Sequence, residues 1–245
     1  MENSQAWRED LRHLDKNVRL RAAMALGHHC RLDALPDIVE ALRVESDFFV
    51  REALTWALVR IGEPAVEPLI AAMRDGDAGV RHHAAHALSK IGDPRAIPAL
   101  MTALHDPADL VVAKAAYALG HLGAVEAISP LVRLLEHPVP EVQSAAVTAL
   151  ERIGPAAASQ LVVGLTHELD QVREHAANAL GTFAERDTAP ALLRALQDRS
   201  WRVRVAVIVA LNHIAGDDVT GAIARACEDD DSRVRTLAVK LSKRR

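Results

Sequence analysis

The residues in this chain best suited to chemistry are histidines that stand beside other ligating groups. His82 and His86 are four apart, His28, His29 and Cys30 run together, and Glu174 precedes His175. Two imidazoles at i and i+4 on one helix face converge on a point and favour a transition metal, which still needs further ligands to close the site. No such complement stands near any of these groups, so no metal and no cofactor is expected. Nucleophilic catalysis would need a Ser, Cys or Thr on a tight turn with a base and an acid at hand, and none stands out. The glycines are single rather than gathered into a phosphate-cradling loop. An enzyme acting alone is not the expectation.

The elements that position these side chains follow from an internal repeat. A Val recurs at Val18, Val50, Val80, Val111, Val142, Val172, Val203 and Val234, at spacings of 32, 30, 31, 31, 30, 31 and 31 residues. Within a unit, apolar residues fall 0, 4, 7, 8 and 11 residues after the Val, as in Val80, Ala84, Ala87, Leu88 and Ile91. At 100° per residue this is one helical stripe. Gly62, Gly92, Gly123 and Gly154 end the stripe, as a left-handed helix cap requires. A turn then leads to a second apolar helix, seen in Ala96, Ile97, Leu100 and Leu104. Each unit reads as a helical hairpin that must stack on neighbours to bury its faces. Half-units are expected at both ends, one over about residues 5–15 and one from Val234, within a single repeat domain spanning 1–245.

Composition agrees with thin, closely spaced elements. The 245 residues are 50% hydrophobic but only 3% aromatic, so Ala, Leu and Val carry the core. A net charge of −4 from 29 Lys+Arg and 33 Asp+Glu argues against a strongly basic nucleic-acid binder. No segment approaches the ~18 apolar residues of a membrane span, and MENSQAWREDLRHLD has no basic start followed by an apolar run. A cytoplasmic protein without a membrane segment is expected, with Cys30 and Cys227 as buried or partly buried free thiols.

Asp15, Asp47, Asp77, Ser200 and Asp231 precede the Val by three residues and suit helix N-caps. An Arg follows the Val at Arg19, Arg51, Arg81, Arg173, Arg204 and Arg235, broken by Val112 and Gln143. Regularity at the repeat period favours a ladder of Asp and Arg pairs joining repeats over an anion-binding stripe. Ten residues after the Val stand His28, Arg60, Lys90, His121, Arg152, Thr182 and His213, a set the dipole at helix C-termini accounts for.

The unit VRHHAAHALSKIGDPRAIPAL, from Val80, resembles the HEAT repeats of the phycobilisome-lyase type, and degraded copies extend the resemblance from about residue 7 to 245. It implies an all-α fold, an α-solenoid with a right-handed superhelix of about eight hairpins of roughly 31 residues. For function it is unspecific, because that family spans bilin-lyase subunits, a di-iron hydroxylase and scaffolds. The hydroxylase relatives carry His-Glu pairs directly after the Arg. Here those positions read Leu20-Arg21, Glu52-Ala53, His82-His83, Ala113-Lys114, Ser144-Ala145, Glu174-His175, Val205-Ala206 and Thr236-Leu237, without one His-Glu pair. Three repeats at roughly 10 Å each also separate His82/His83 from Glu174/His175.

Function in such an array lies in its exposed columns. Residues 2, 6 and 9 after the Val are expected to face away from the stripe. The sixth reads Met24, Trp56, His86 and Tyr117, a ladder of large and mostly apolar groups, and then Thr148, Asn178, Val209 and Lys240. A Trp and the sole Tyr on such a face suggest a protein partner. On the second helix the position 22 after the Val reads Glu40, Ala72, Thr102, Arg133, Gly164, Arg194 and Arg225. Small residues there would admit a helix or peptide into a concave groove, with Arg133, Arg194 and Arg225 receiving carboxylates. A non-catalytic interaction scaffold is the leading reading; a bilin-lyase-like subunit or a helical-repeat nucleic-acid binder is the alternative. The basic tail Lys240, Lys243, Arg244 and Arg245 reads as a solvated end.

Overall fold

In the computed structural model, residues 2–243 are described, with side chains from residue 4, and none of them is in a strand. Arg244 and Arg245 of the basic tail lie outside the described residues. The helices fall into two compact units, Met1–Leu122 and Gly123–Arg245. The first holds α1 (Glu2–Asp10), α2 (Lys16–His28), α3 (Leu35–Val44), α4 (Phe48–Ile61), α5 (Val66–Ala72), α6 (Ala78–Ile91), α7 (Ile97–Ala103) and α8 (Asp109–His121). The second holds α9 (Ile128–Arg133), α10 (Pro140–Ile153), α11 (Ala158–Gly164), α12 (Asp170–Phe183), α13 (Ala189–Ala195), α14 (Trp201–Asn212), α15 (Asp217–Ala226) and α16 (Ser232–Ser242). From α2 on, even-numbered helices are the long first helices of the repeat and odd-numbered ones the short second helices. The fold is an α-solenoid of stacked hairpins.

Seven of the eight repeat valines are buried and Val18, in the first repeat, is half-buried; most Ala and Leu of the stripe behind them are buried too. Most second helices open on a 3-10 turn, such as Glu63–Ala65 or Pro94–Ala96, which places the helix prolines near the start, where a missing N–H costs little. Six of the eight first helices end on positive-φ residues: Gly62, Gly92, Gly123 and Gly154 as the pattern requires, and also Cys30 (φ 46°) and Ala184 (φ 54°). Cys30 is thus a helix-cap residue in a glycine's place; contrary to expectation it is exposed, while Cys227 is half-buried, and both are free thiols.

Asp15, Asp47, Asp77 and Asp231 cap their helices through side-chain oxygens. Ser200 does not: its hydroxyl instead donates to Asp170 at 3.1 Å. The arginine ladder exists, but its carboxylates are mostly a different set from the caps, whose oxygens are already engaged by helix N–H groups. Arg81 forks onto Asp106 at 2.6 and 2.7 Å while donating to the carbonyls of Asp75 and Gly76 at 2.8 and 3.1 Å. Arg19 with Glu45, Arg173 with Asp198 and Arg204 with Asp229 repeat this arrangement. Arg51 alone uses a cap, Asp77 at 3.3 Å, because Asp75 faces Arg43.

These carboxylates lie five residues before each repeat Val, and the full column is His13, Glu45, Asp75, Asp106, His137, His167, Asp198 and Asp229. All eight close their loop by accepting the N–H two residues on, at 2.8–3.2 Å. An imidazole accepts one such bond but cannot take a guanidinium fork. Accordingly the ladder breaks where the sequence supplies His: Val112 is followed by His137, and Gln143 by His167. Gln143 keeps the backbone half of the role, donating to the His137 carbonyl at 2.6 Å.

The ninth position after the Val is not a solvent column. Gly27, Ser89, Gly120 and Gly181 are buried there, Gly27 and Gly181 where successive first helices of one unit meet. A Cβ on Gly27 would lie 2.7 Å from the Ala57 Cα, and one on Gly181 would lie 2.8 Å from the Ala210 Cα. The small residue lets α4 approach α2, and α14 approach α12, backbone to backbone.

Candidate functional site

The first-helix face of the N-terminal unit gathers four of the expected binding residues at equivalent positions of α2, α4, α6 and α8. Met24 is 52% exposed and Trp56 41% exposed. The Trp56 ring lies on Gly27, whose absent side chain leaves room for it: Cζ3 would be 2.6 Å from a Cβ there. His86 and Tyr117 are half-buried, and the Lys114 ammonium sits 5.7 Å from the Tyr117 ring centroid.

Of the three histidines of α6, His83 is buried and His82 and His86 are half-buried in this face. His83 is buried, with Nδ1 3.2 Å from the Thr55 hydroxyl and 3.4 Å from the Glu52 carboxylate. Burial pushes the His82 imidazole down to about 4, assisted by the positive charge of Lys114. Burial lowers His83 and His86 as well, so the three rings are neutral near pH 7. In the second unit burial also lowers His175, whose Nδ1 is buried without a hydrogen-bond partner. Among the described residues, no three His, Cys, Asp or Glu side chains are grouped so that they could hold a metal ion. His29 is stacked on Trp7 of α1 with ring centroids 5.0 Å apart, a packing role for the residue that departs from the repeat.

The second-helix column needs re-registering. The repeats from Val50 and Val142 are 30 residues long, one short between the cap glycine and the second-helix core. Counting from the Val therefore lands on the wrong face there: Ala72 and Gly164 are buried, while the next-door Ala71 and Val163 are exposed. The small-residue groove does not exist as counted. Arg133, Arg194 and Arg225 are exposed as expected. Arg225 lines a cavity of about 890 Å³ between α13 and α15, in company with Asp217, Glu228 and Asp230.

Sequence reasoning passed over Phe48 and Phe49. Both are more than 60% exposed, edge to face at 5.6 Å, at the start of α4. Their signal was a pair of phenylalanines directly after an N-cap, where the other repeats are mostly small or polar.

The model for HEAT repeats matches residues 4–66, 64–120, 111–171 and 158–242. The chain belongs to the HEAT-repeat family. No curated protein matches it by sequence. Among solved structures, yeast importin-beta (Kap95p) superposes with a TM-score of 0.66 at 17% identity, over 97% of this chain and 40% of that one. The CpcE–CpcF complex of phycocyanin lyase from Nostoc sp. PCC7120 gives a TM-score of 0.49 at 24% identity, over 98% and 93% of the two chains. Human deoxyhypusine hydroxylase in complex with glycerol gives 0.46 at 21% identity, over 100% and 97%. At these identities the likeness is one of fold: stacked HEAT hairpins. No helix among the described residues is long and apolar enough to cross a membrane.

Proposed function

We infer that this HEAT-repeat chain is a non-catalytic scaffold that holds a protein partner against Met24, Trp56, His86 and Tyr117. The observation that carries this reading is the exposure of Trp56, one of only seven aromatic residues, on a bare glycine of the same helix that presents Met24. A large apolar ring left in water on a rigid helix costs solvation free energy that a partner recovers, and Trp and Tyr dominate binding energetics where they are so placed. Side chains that could have served chemistry are instead committed to packing: His83 to Thr55, His29 to Trp7, and the ladder arginines to carboxylates. The carboxylates around Arg225 make the second-helix face a poorer receptor for acidic groups than the arginine column implied. An exposed free thiol at Cys30 fits a reducing, cytoplasmic setting.

The test is capture from a lysate of the source organism by wild-type chain and by the Trp56→Ala/Tyr117→Ala double variant, read by mass spectrometry. A protein held by the wild type and lost by the variant, at unchanged helicity, supports the reading. Equal capture by both removes this face from it.

A further inference from the structure

We propose that the partner segment held by this face is acidic and carries apolar anchors; this rests on the scaffold reading above and specifies its occupant. The argument is the distribution of charge over the four first helices of the N-terminal unit. Helices α2, α4, α6 and α8 contain eight Lys or Arg residues and only two acids, Glu52 and Asp109. Four of the cations are used internally: Lys16 pairs with Asp47, and Arg19, Arg51 and Arg81 belong to the ladder. The other four, Arg21, Arg60, Lys90 and Lys114, fall three or ten residues after their repeat Val. The apolar ladder falls six after it. At 100° per residue, positions 3, 6 and 10 share about 60° of helix surface, so each helix presents one of these cations beside one ladder residue.

Arg21, Arg60 and Lys90 are exposed and, among the described residues, form no ion pair; Asp15 at the start of α2 adds only a through-space attraction to Arg21. Glu52, two residues after its Val and so beside the stripe rather than in it, faces His83. The helix dipole accounts for Arg60 and Lys90, which lie in last turns, but not for the scarcity of acids on the remaining positions. In the second unit α10 and α12 carry Glu141, Glu151, Asp170 and Glu174, with Thr148 and Asn178 in the ladder; α14 has no acid, but Ala206 and His213 rather than a Lys or Arg stand three and ten residues after its Val, beside Val209. A Lys or Arg three or ten residues after the Val on every first helix, each beside a ladder residue, is therefore a feature of the first unit. An acidic protein segment fits better than a nucleic acid: cations alternate with Met24 and Trp56 instead of forming the continuous track a phosphate backbone needs, and the whole chain carries −4.

The test titrates the full chain into a fluorescein-labelled peptide of repeating Glu-Glu-Leu-Phe, its Lys-for-Glu counterpart, and an oligothymidylate, by fluorescence anisotropy. The acidic peptide is expected to bind, and both Arg60→Glu/Lys90→Glu and Trp56→Ala to weaken it about tenfold or more with helicity intact. The charge-reversed variant should gain affinity for the Lys peptide. Absence of acidic-peptide binding, indifference to the charge reversal, or tighter binding of the oligothymidylate overturns the proposal. A lysate partner lost by Trp56→Ala/Tyr117→Ala but kept by Arg60→Glu/Lys90→Glu would leave the scaffold reading standing and remove this one.

Discussion

Replacing Gly181 with Ala and, separately, Gly221 with Ala makes the same chemical change in two helices of one unit, and the two effects should differ in sign. Alanine is the better helix former by about 1 kcal/mol, a gain available at both positions. At Gly221 the only neighbour of the new methyl is the end of the flexible Arg225 side chain at 3.5 Å, so this gain should appear as stabilisation. At Gly181 the methyl would lie 2.8 Å from the Ala210 Cα and 3.0 Å from its Cβ. Carbon atoms rest at about 3.5–4.0 Å, so α12 and α14 must part by about 0.7 Å or more, straining a packed core at a cost of about 1–3 kcal/mol. Propensity cancels in the difference between the variants, which isolates the packing cost at about 1–3 kcal/mol. Urea denaturation followed by circular dichroism, with amide exchange to localise the effect in the second unit, measures it. If Gly181→Ala stabilises the protein as much as Gly221→Ala does, the close approach of first helices does not depend on the missing Cβ, and the same explanation fails for Gly27 and the seat of Trp56.

Two further outcomes follow from the electrostatics. Because His82 is held at about 4 in the folded chain and returns to about 6.5 on unfolding, its stabilisation is complete above pH 6.5 and drains away as pH falls toward 4. Allowing for solvent screening of a half-buried ring, the loss is about 2 kcal/mol, so the urea midpoint should drop between pH 7.5 and 5 and drop less in His82→Gln; equal drops in both proteins would refute it. Pairing with Arg81 holds Asp106 below its ordinary range, so its contribution persists above about pH 4 and is lost only in stronger acid. Arg81→Met alone should cost about 3 kcal/mol by stranding a buried carboxylate, while adding Asp106→Leu should restore part of it, and a double-mutant cycle showing no coupling would contradict the ladder.

The period was legible because the repeat Val from Val50 to Val234 sits at the same buried point, so a one-dimensional count maps directly onto the core. The count failed where chain length between helices varies: one residue missing in the Val50 and Val142 repeats rotates Ala72 and Gly164 by 100°, which a count from the Val alone does not register. The arginine column was visible but its partners were not, since the cap aspartates are closer in sequence than the acceptors that bind it. The signal lay in pairing the two columns: Val112 and Gln143 stand where the next acceptor is His137 or His167. Of the candidate site, Trp56 and Met24 were legible from spacing, whereas the seat that Gly27 provides for the Trp56 ring needed three dimensions.

The ladder also has a mechanical consequence. Its guanidinium forks all lie along one edge of each unit, where a second helix hands over to the next first helix. Along the opposite edge, the ion pairs between repeats, such as Arg95 with Glu63 and Arg186 with Asp218, are exposed. Each unit is thus stitched on one margin and loosely buttoned on the other. It should bend like a hinged fan, opening at the buttoned margin under load or thermal fluctuation while the stitched margin acts as the pivot.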